Sequence, residues 1–213
     1  MRLLLTALIL FNLQQAQADN ILFSPENILE WNAKSFVGQT YYTIVYDELL
    51  QKNVIRAESN SSASGLFYEK KIDLEKTPWL SWSWRAEKFP TVEGEKSKVG
   101  DDFVARIYIV IKDGWTPLST KAVSYVWAKN ATLDSEWPNP FTGKRAMMLV
   151  TQTGEKNTGW VTEKRNLKED LKRLFGKEFK KIDAIAIMAD SDNSESSTVG
   201  FISDVKLLAN SNE

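Results

Sequence analysis

Phe103-Val104-Ala105-Arg106-Ile107-Tyr108-Ile109-Val110-Ile111 is the stretch that decides the fold. Successive side chains of a strand point to opposite faces, so Phe103, Ala105, Ile107, Ile109 and Ile111 form one apolar face. Val104, Arg106, Tyr108 and Val110 form the other. The same alternation, rich in β-branched and aromatic residues, recurs from residue 40 onward and marks strands at 41–47, 54–58, 63–74, 80–86, 103–111, 122–128, 146–152, 182–189 and 200–208. Turn sequences such as Asn60-Ser61-Ser62, Glu93-Gly94, Lys112-Asp113-Gly114 and Trp137-Pro138-Asn139-Pro140 separate them. Short strands punctuated in this way predict a mostly β protein, an antiparallel β-sandwich or jelly roll. One segment departs from the pattern. Asn166 is a good helix N-cap, Glu169 lies three residues on, and Leu167, Leu171, Leu174 and Phe175 share a helical face before Gly176, so a short helix is expected near 166–175. The strand after it, Ile182-Asp183-Ala184-Ile185-Ala186-Ile187-Met188, is apolar or small on both faces and belongs in the middle of a sheet.

The 213 residues contain no histidine and no cysteine. A Ser-His-Asp or Cys-His triad, a conventional zinc site and a disulfide are therefore excluded, leaving carboxylates, arginines, lysines, amides, hydroxyls and aromatics to do any chemistry. Residues 1–18 read as a cleavable leader: Arg2 supplies the positive start, 3–13 the apolar run, and Ala16-Gln17-Ala18 the small residues of a cleavage site after Ala18. The remaining stretch, 19–213, is the length of one β-sandwich domain. No later run approaches the ~18 apolar residues of a membrane span, and a lipid anchor would require a cysteine. The expected location is periplasmic or secreted. A net charge of −1, with both signs mixed along the chain, lacks the basic footprint of a nucleic-acid binder.

The polar face carrying Arg106 and Tyr108 is where a site is sought. In the next strand Val123, Tyr125 and Trp127 share a face, and if that face adjoins Arg106 and Tyr108, then Tyr108, Tyr125, Trp127 and Arg106 make an aromatic floor with one guanidinium. Such a floor suits a sugar ring, whose C–H face stacks on an aromatic while arginine, carboxylates and amides meet its hydroxyls. Core packing is the alternative for these aromatics, and for Trp82 and Trp84 as well. Arg106, among apolar neighbours, must be paired or face a cleft; an ion pair with Asp101, Asp102 or Asp170 would satisfy it. Arg165, just before the helix, could join Asp102 and Asp190 in a polar cluster. The loop Asp190-Ser191-Asp192-Asn193 offers hard oxygen ligands, so Asp190, Asp192 and Asn193 are candidates for a structural calcium, with turn capping as the alternative.

Several segments carry a family resemblance. Leu80-Ser81-Trp82-Ser83-Trp84-Arg85, the run Gly100-Asp101-Asp102-Phe103 continuing to Val110, Tyr125-Val126-Trp127, Arg165-Asn166 with Asp170 and Phe175-Gly176, and Met188-Ala189-Asp190-Ser191-Asp192-Asn193 together resemble the bacterial DUF3047 family over nearly the whole mature chain. That family implies no assigned activity. The order of helix, Ile-rich strand and closing Gly200-Phe201-Ile202-Ser203-Asp204-Val205 strand also looks like the end of galactose-binding-like jelly rolls, which include carbohydrate-binding modules. The expected function is that of an exported, non-catalytic binder of a glycan or other polar envelope ligand. A carboxylate-dependent polysaccharide hydrolase or lyase, the latter using Tyr108 or Tyr125, and a structural envelope protein are the alternatives.

Overall fold

The computed structural model describes residues 20–154 and 159–212, so the expected leader and its cleavage point lie outside the described residues. In chain order the elements are β1 (Ile21–Phe23), α1 (Pro25–Leu29), β2 (Asn32–Val37), β3 (Tyr41–Asp47), β4 (Lys52–Asn60), β5 (Ala63–Tyr68), β6 (Ile72–Asp73), β7 (Trp79–Lys88), β8 (Arg106–Lys112), β9 (Thr120–Ala128), β10 (Glu136–Asn139), β11 (Gly143–Thr153), β12 (Val161–Asn166), α2 (Leu167–Phe175), β13 (Lys181–Ile182), β14 (Ala184–Asp190) and β15 (Ser197–Leu208). One sheet runs β12-β7-β15-β4-β3 with β1 joined to β15, a second runs β10-β11-β9-β8-β14-β5-β2, and β6 pairs with β13 in a two-stranded third. Among the described residues the pairs are antiparallel except β9 with β11, which is parallel. The fold is a mostly β sandwich with a short helix at α2, as the alternation and caps require. The one-turn α1 and the strands β1, β2, β10 and β12 carry too little alternation to be read in advance.

Local chemistry explains the boundaries. The Asn166 side chain accepts from the Lys168 and Glu169 backbone N–H groups, and Gly176 ends α2 at φ 66°, a conformation open to glycine. Every residue of β14 is buried, and the strand sits between β8 and β5, the central place its two apolar faces demand.

A core drawn from both sheets fills the space between them. Its centre is a column of aromatics. Trp82 and Trp84 of β7 meet edge to face at 5.3 Å between ring centroids, Tyr125 of β9 lies 5.4 Å from Trp82, and Trp127 lies 5.6 Å from Trp84. All four rings are buried.

This column corrects the expected aromatic floor. Arg106 pairs with Val126 and Tyr108 with Ser124, whereas Tyr125 lies opposite Ile107. Tyr125 and Trp127 therefore share the inner face with Ile107 and Ile109, and Arg106 and Tyr108 look the other way. A register one residue away from the assumed one moves every side chain to the opposite face. Phe103 is a second correction. It is buried in a small cluster with Val126, Trp137, Met148 and Val150 instead of the main core, because the backbone before Arg106 is not strand and the alternation slips there.

Trp84→Ala removes the centre of the column and is expected to cost about 3–5 kcal/mol in chemical denaturation. A loss below about 1 kcal/mol, the scale of an ordinary surface change, would contradict this packing.

Candidate functional site

Arg106 lies on the outer face of the seven-stranded sheet and is only 1% exposed. A guanidinium held there needs compensation, and four groups supply it. Nε donates to Asp190 Oδ1 at 2.8 Å, and Nη2 donates to Asp190 Oδ2 and to the Asp101 carbonyl. Nη1 donates to the Tyr108 hydroxyl at 3.1 Å, and the planar group lies over the Phe103 ring at 4.5 Å. The two-point pairing with one carboxylate is the strong form of this interaction. Antiparallel pairing of β8 with β14, which sets Met188 beside Arg106, brings Asp190 at the end of β14 within reach.

Three loops close around this pair. Asp101 precedes β8; its Oδ2 accepts from Asn139 Nδ2 at 2.9 Å, and its Oδ1 has no hydrogen-bond partner although the residue is only 4% exposed. Asn139, at the end of β10, accepts from the Phe141 and Thr142 backbone N–H groups and so fixes the turn that carries Phe141. Asp102 anchors the loop after β14, accepting from the Asn193 and Ser194 backbone N–H groups, Asn193 Nδ2 and the Ser194 hydroxyl. The result is a cleft of about 300 Å³. Asp101, Arg106, Tyr108, Asn139, Asp190, Asp192 and Asn193 form its polar surface, and Phe36, Val37, Ala63, Phe141 and Met188 its apolar one. Phe36 and Phe141 are 63% and 53% exposed.

The electrostatics are lopsided. Four carboxylates, Asp101, Asp102, Asp190 and Asp192, gather around one guanidinium. Burial pushes the Asp101 carboxyl up against the pull of Arg106, and Asp102 and Asp192 add to the rise. Burial and Asp102 also raise Asp192. Asp190 is pushed well up by burial, with Arg106 opposing. Burial works against the Arg106 cation, but Asp190, Tyr108 and Asp101 outweigh it and keep the guanidinium charged.

The structure brings Arg106, Tyr108, Asp102, Asp190, Asp192 and Asn193 together and leaves out the other candidates. Tyr125 and Trp127 are in the core. Arg165 clamps Asp170 through Nε and Nη2 at 2.9 and 2.6 Å, and the Tyr125 hydroxyl donates to the same carboxylate at 2.9 Å. That trio fastens α2 to the sandwich, and none of its members lines the cleft. Asp170 and Asp102 are likewise not the partners of Arg106; Asp190 is, with Asp101 beside it at 3.6 Å from Nη1.

The calcium reading fits poorly. Oxygens of Asp102, Asp190 and Asp192 lie within 4.8 Å of one another, but Asp102 is filled by four donors and Asp190 by the guanidinium and the Phe103 N–H. Asn193 turns its Nδ2 toward Asp102 and Asp192, at 3.1 and 3.0 Å, so the amide presents a donor where a metal needs oxygen. Asn139, Phe141 and Phe36 have no counterpart in the sequence reading, which names Asp101 only as a partner of Arg106. They come from segments far apart in sequence, and nothing in their local pattern marks them.

The family model described as "Protein of unknown function (DUF3047)" matches residues 29–206. The chain belongs to the DUF3047 family. No curated protein matches this DUF3047 chain. Among solved structures it is similar to the glycoside hydrolase domain of Endo-D from Streptococcus pneumoniae R6, at 11% identity and TM-score 0.43 over 86% of this chain; it spans only 22% of that protein. It is also similar to a family 30 carbohydrate-binding module of a cellulosomal cellulase of Clostridium thermocellum, at 11% identity and TM-score 0.46 over 85% of this chain and 92% of that one. The winged bean acidic lectin complexed with methyl-α-D-galactose follows at 10% identity and TM-score 0.41 over 88% and 98%. Likeness at this level concerns the strand arrangement alone.

Arg106→Met strands Asp190 and Asp101 without their cation and is expected to cost about 3–5 kcal/mol in chemical denaturation. Adding Asp190→Asn removes one stranded charge and should recover part of the loss. Parental stability in the single variant would contradict the pairing.

Proposed function

We propose that this protein is an exported binder of a glycan, held in the Arg106 cleft without being cleaved. The observation that carries the reading is two exposed phenyl rings, Phe36 and Phe141, on the same cleft as a floor of carboxylates, an amide and a phenol. Exposed rings beside polar groups suit a ligand with apolar C–H faces and a rim of hydroxyls. The floor is pre-organised: Asn139 is fixed by the turn it caps, and Tyr108 by Arg106, so little ordering accompanies binding. Export rests on the leader read in residues 1–18, and no described helix is long and apolar enough to cross a membrane.

Calorimetric titration against a panel of oligosaccharides tests the reading. Phe141→Ala and Phe36→Ala should each weaken the best ligand about tenfold, the equivalent of roughly 1.4 kcal/mol, with unchanged melting temperature because both rings are exposed. Retention of every panel member at parental affinity in both variants, or release of new reducing ends on incubation, would overturn it.

A further inference from the structure

The charge surplus in the cleft points to the kind of glycan. Asp102 has four donors and Asp190 has three, so neither lacks a partner. Asp101 and Asp192 remain. Asp101 lines the cleft, and its Oδ1 is buried and receives no hydrogen bond, its nearest cation being Arg106 Nη1 at 3.6 Å. Asp192, half-buried on the same cleft, takes one bond from Asn193 Nδ2 at 3.0 Å. A buried carboxylate oxygen without a donor costs stability, and such a cost is commonly found where a ligand completes the site. The missing partner must bring donors, and positive charge would also offset the surplus.

Three classes of partner bring donors or charge. A divalent metal wants about six oxygens, and with Asp102 and Asp190 committed the free carboxylates number two. A neutral hydroxyl supplies one donor and leaves the charge as it was. A primary ammonium supplies three donors and no acceptor, matching carboxylate oxygens that only accept, and its charge is further favoured by nearby aromatic faces. Phe36 and Phe141 then hold the ring that bears it.

We infer that the ligand is a glycan containing an amino sugar with a free ammonium, seated at Asp101 Oδ1 and Asp192. The inference rests on the glycan-binding reading and narrows it. The raised Asp101 and Asp192 carboxyls agree with it: burial lifts both, and neighbouring carboxylates add a repulsion that a cation would relieve.

The test is calorimetric titration of the mature chain with three matched probes: the glucosamine trimer, its fully N-acetylated counterpart, and cellotriose, which carries a hydroxyl in place of the amine. The glucosamine trimer should bind at least about tenfold tighter than either neutral probe, the scale of a hydrogen bond to a charged group. Added salt should narrow the gap. Asp192→Asn and Asp101→Asn should erase the preference while keeping or raising the melting temperature; Asp192 is half-exposed, so that variant stays informative if Asp101→Asn folds poorly. Equal affinity for the three probes overturns the ammonium and leaves the glycan reading standing. Failure of all three to bind overturns this inference, and the wider oligosaccharide panel then decides the broader reading separately. Heat from calcium chloride alone that disappears in Asp192→Asn would also overturn it in favour of a metal.

Discussion

A guanidinium buried on the outside of a sheet is the constraint from which the site follows. Arg106 stands on the face of β8 away from the core, yet almost none of it reaches water. A charge so placed is tolerable only when its donors are met, and meeting them draws Asp190, Asp101, Tyr108 and Phe103 to one point. Those residues come from the end of β14, the approach to β8 and β8 itself. The cleft is the space left above the groups that neutralise one arginine.

The neutralisation overshoots. One cation draws in two carboxylates, Asp190 and Asp101, while the loop after β14 adds Asp192 and is tied down by Asp102. Stability alone would favour fewer acids here. Sites that await a ligand commonly hold such unrelieved strain or charge, and the buried, undonated oxygen of Asp101 is where the surplus is most local.

Much of the fold was legible in the sequence, and the site only in part. Alternation through 103–111 separated Ile107 and Ile109 from Arg106 and Tyr108 correctly, and the caps Asn166 and Gly176 bracketed α2. Within one strand the period of two says which residues share a face. It says nothing of the phase between strands, which register sets, and so Tyr125 and Trp127 were placed beside Arg106 when they lie under it in the core. Alternation also fails where strand geometry does, as at Phe103. Asn139, Phe141 and Phe36 were unreadable for a different reason: they reach the cleft from loops and strand ends whose meeting depends on sheet order, including the parallel pairing of β9 with β11.

The surplus charge can be observed without any ligand. A carboxyl ¹³C NMR titration of the free protein, with Asp101 assigned through Asp101→Asn, reads it directly. If burial and the neighbouring acids together outweigh Arg106 as described, Asp101 titrates above the ordinary aspartate value of about 3.9, and the fold loses the associated stability as pH rises through that midpoint. A midpoint at or below the ordinary value would mean that Arg106 and Asn139 already satisfy Asp101, and the account of the cleft would be wrong.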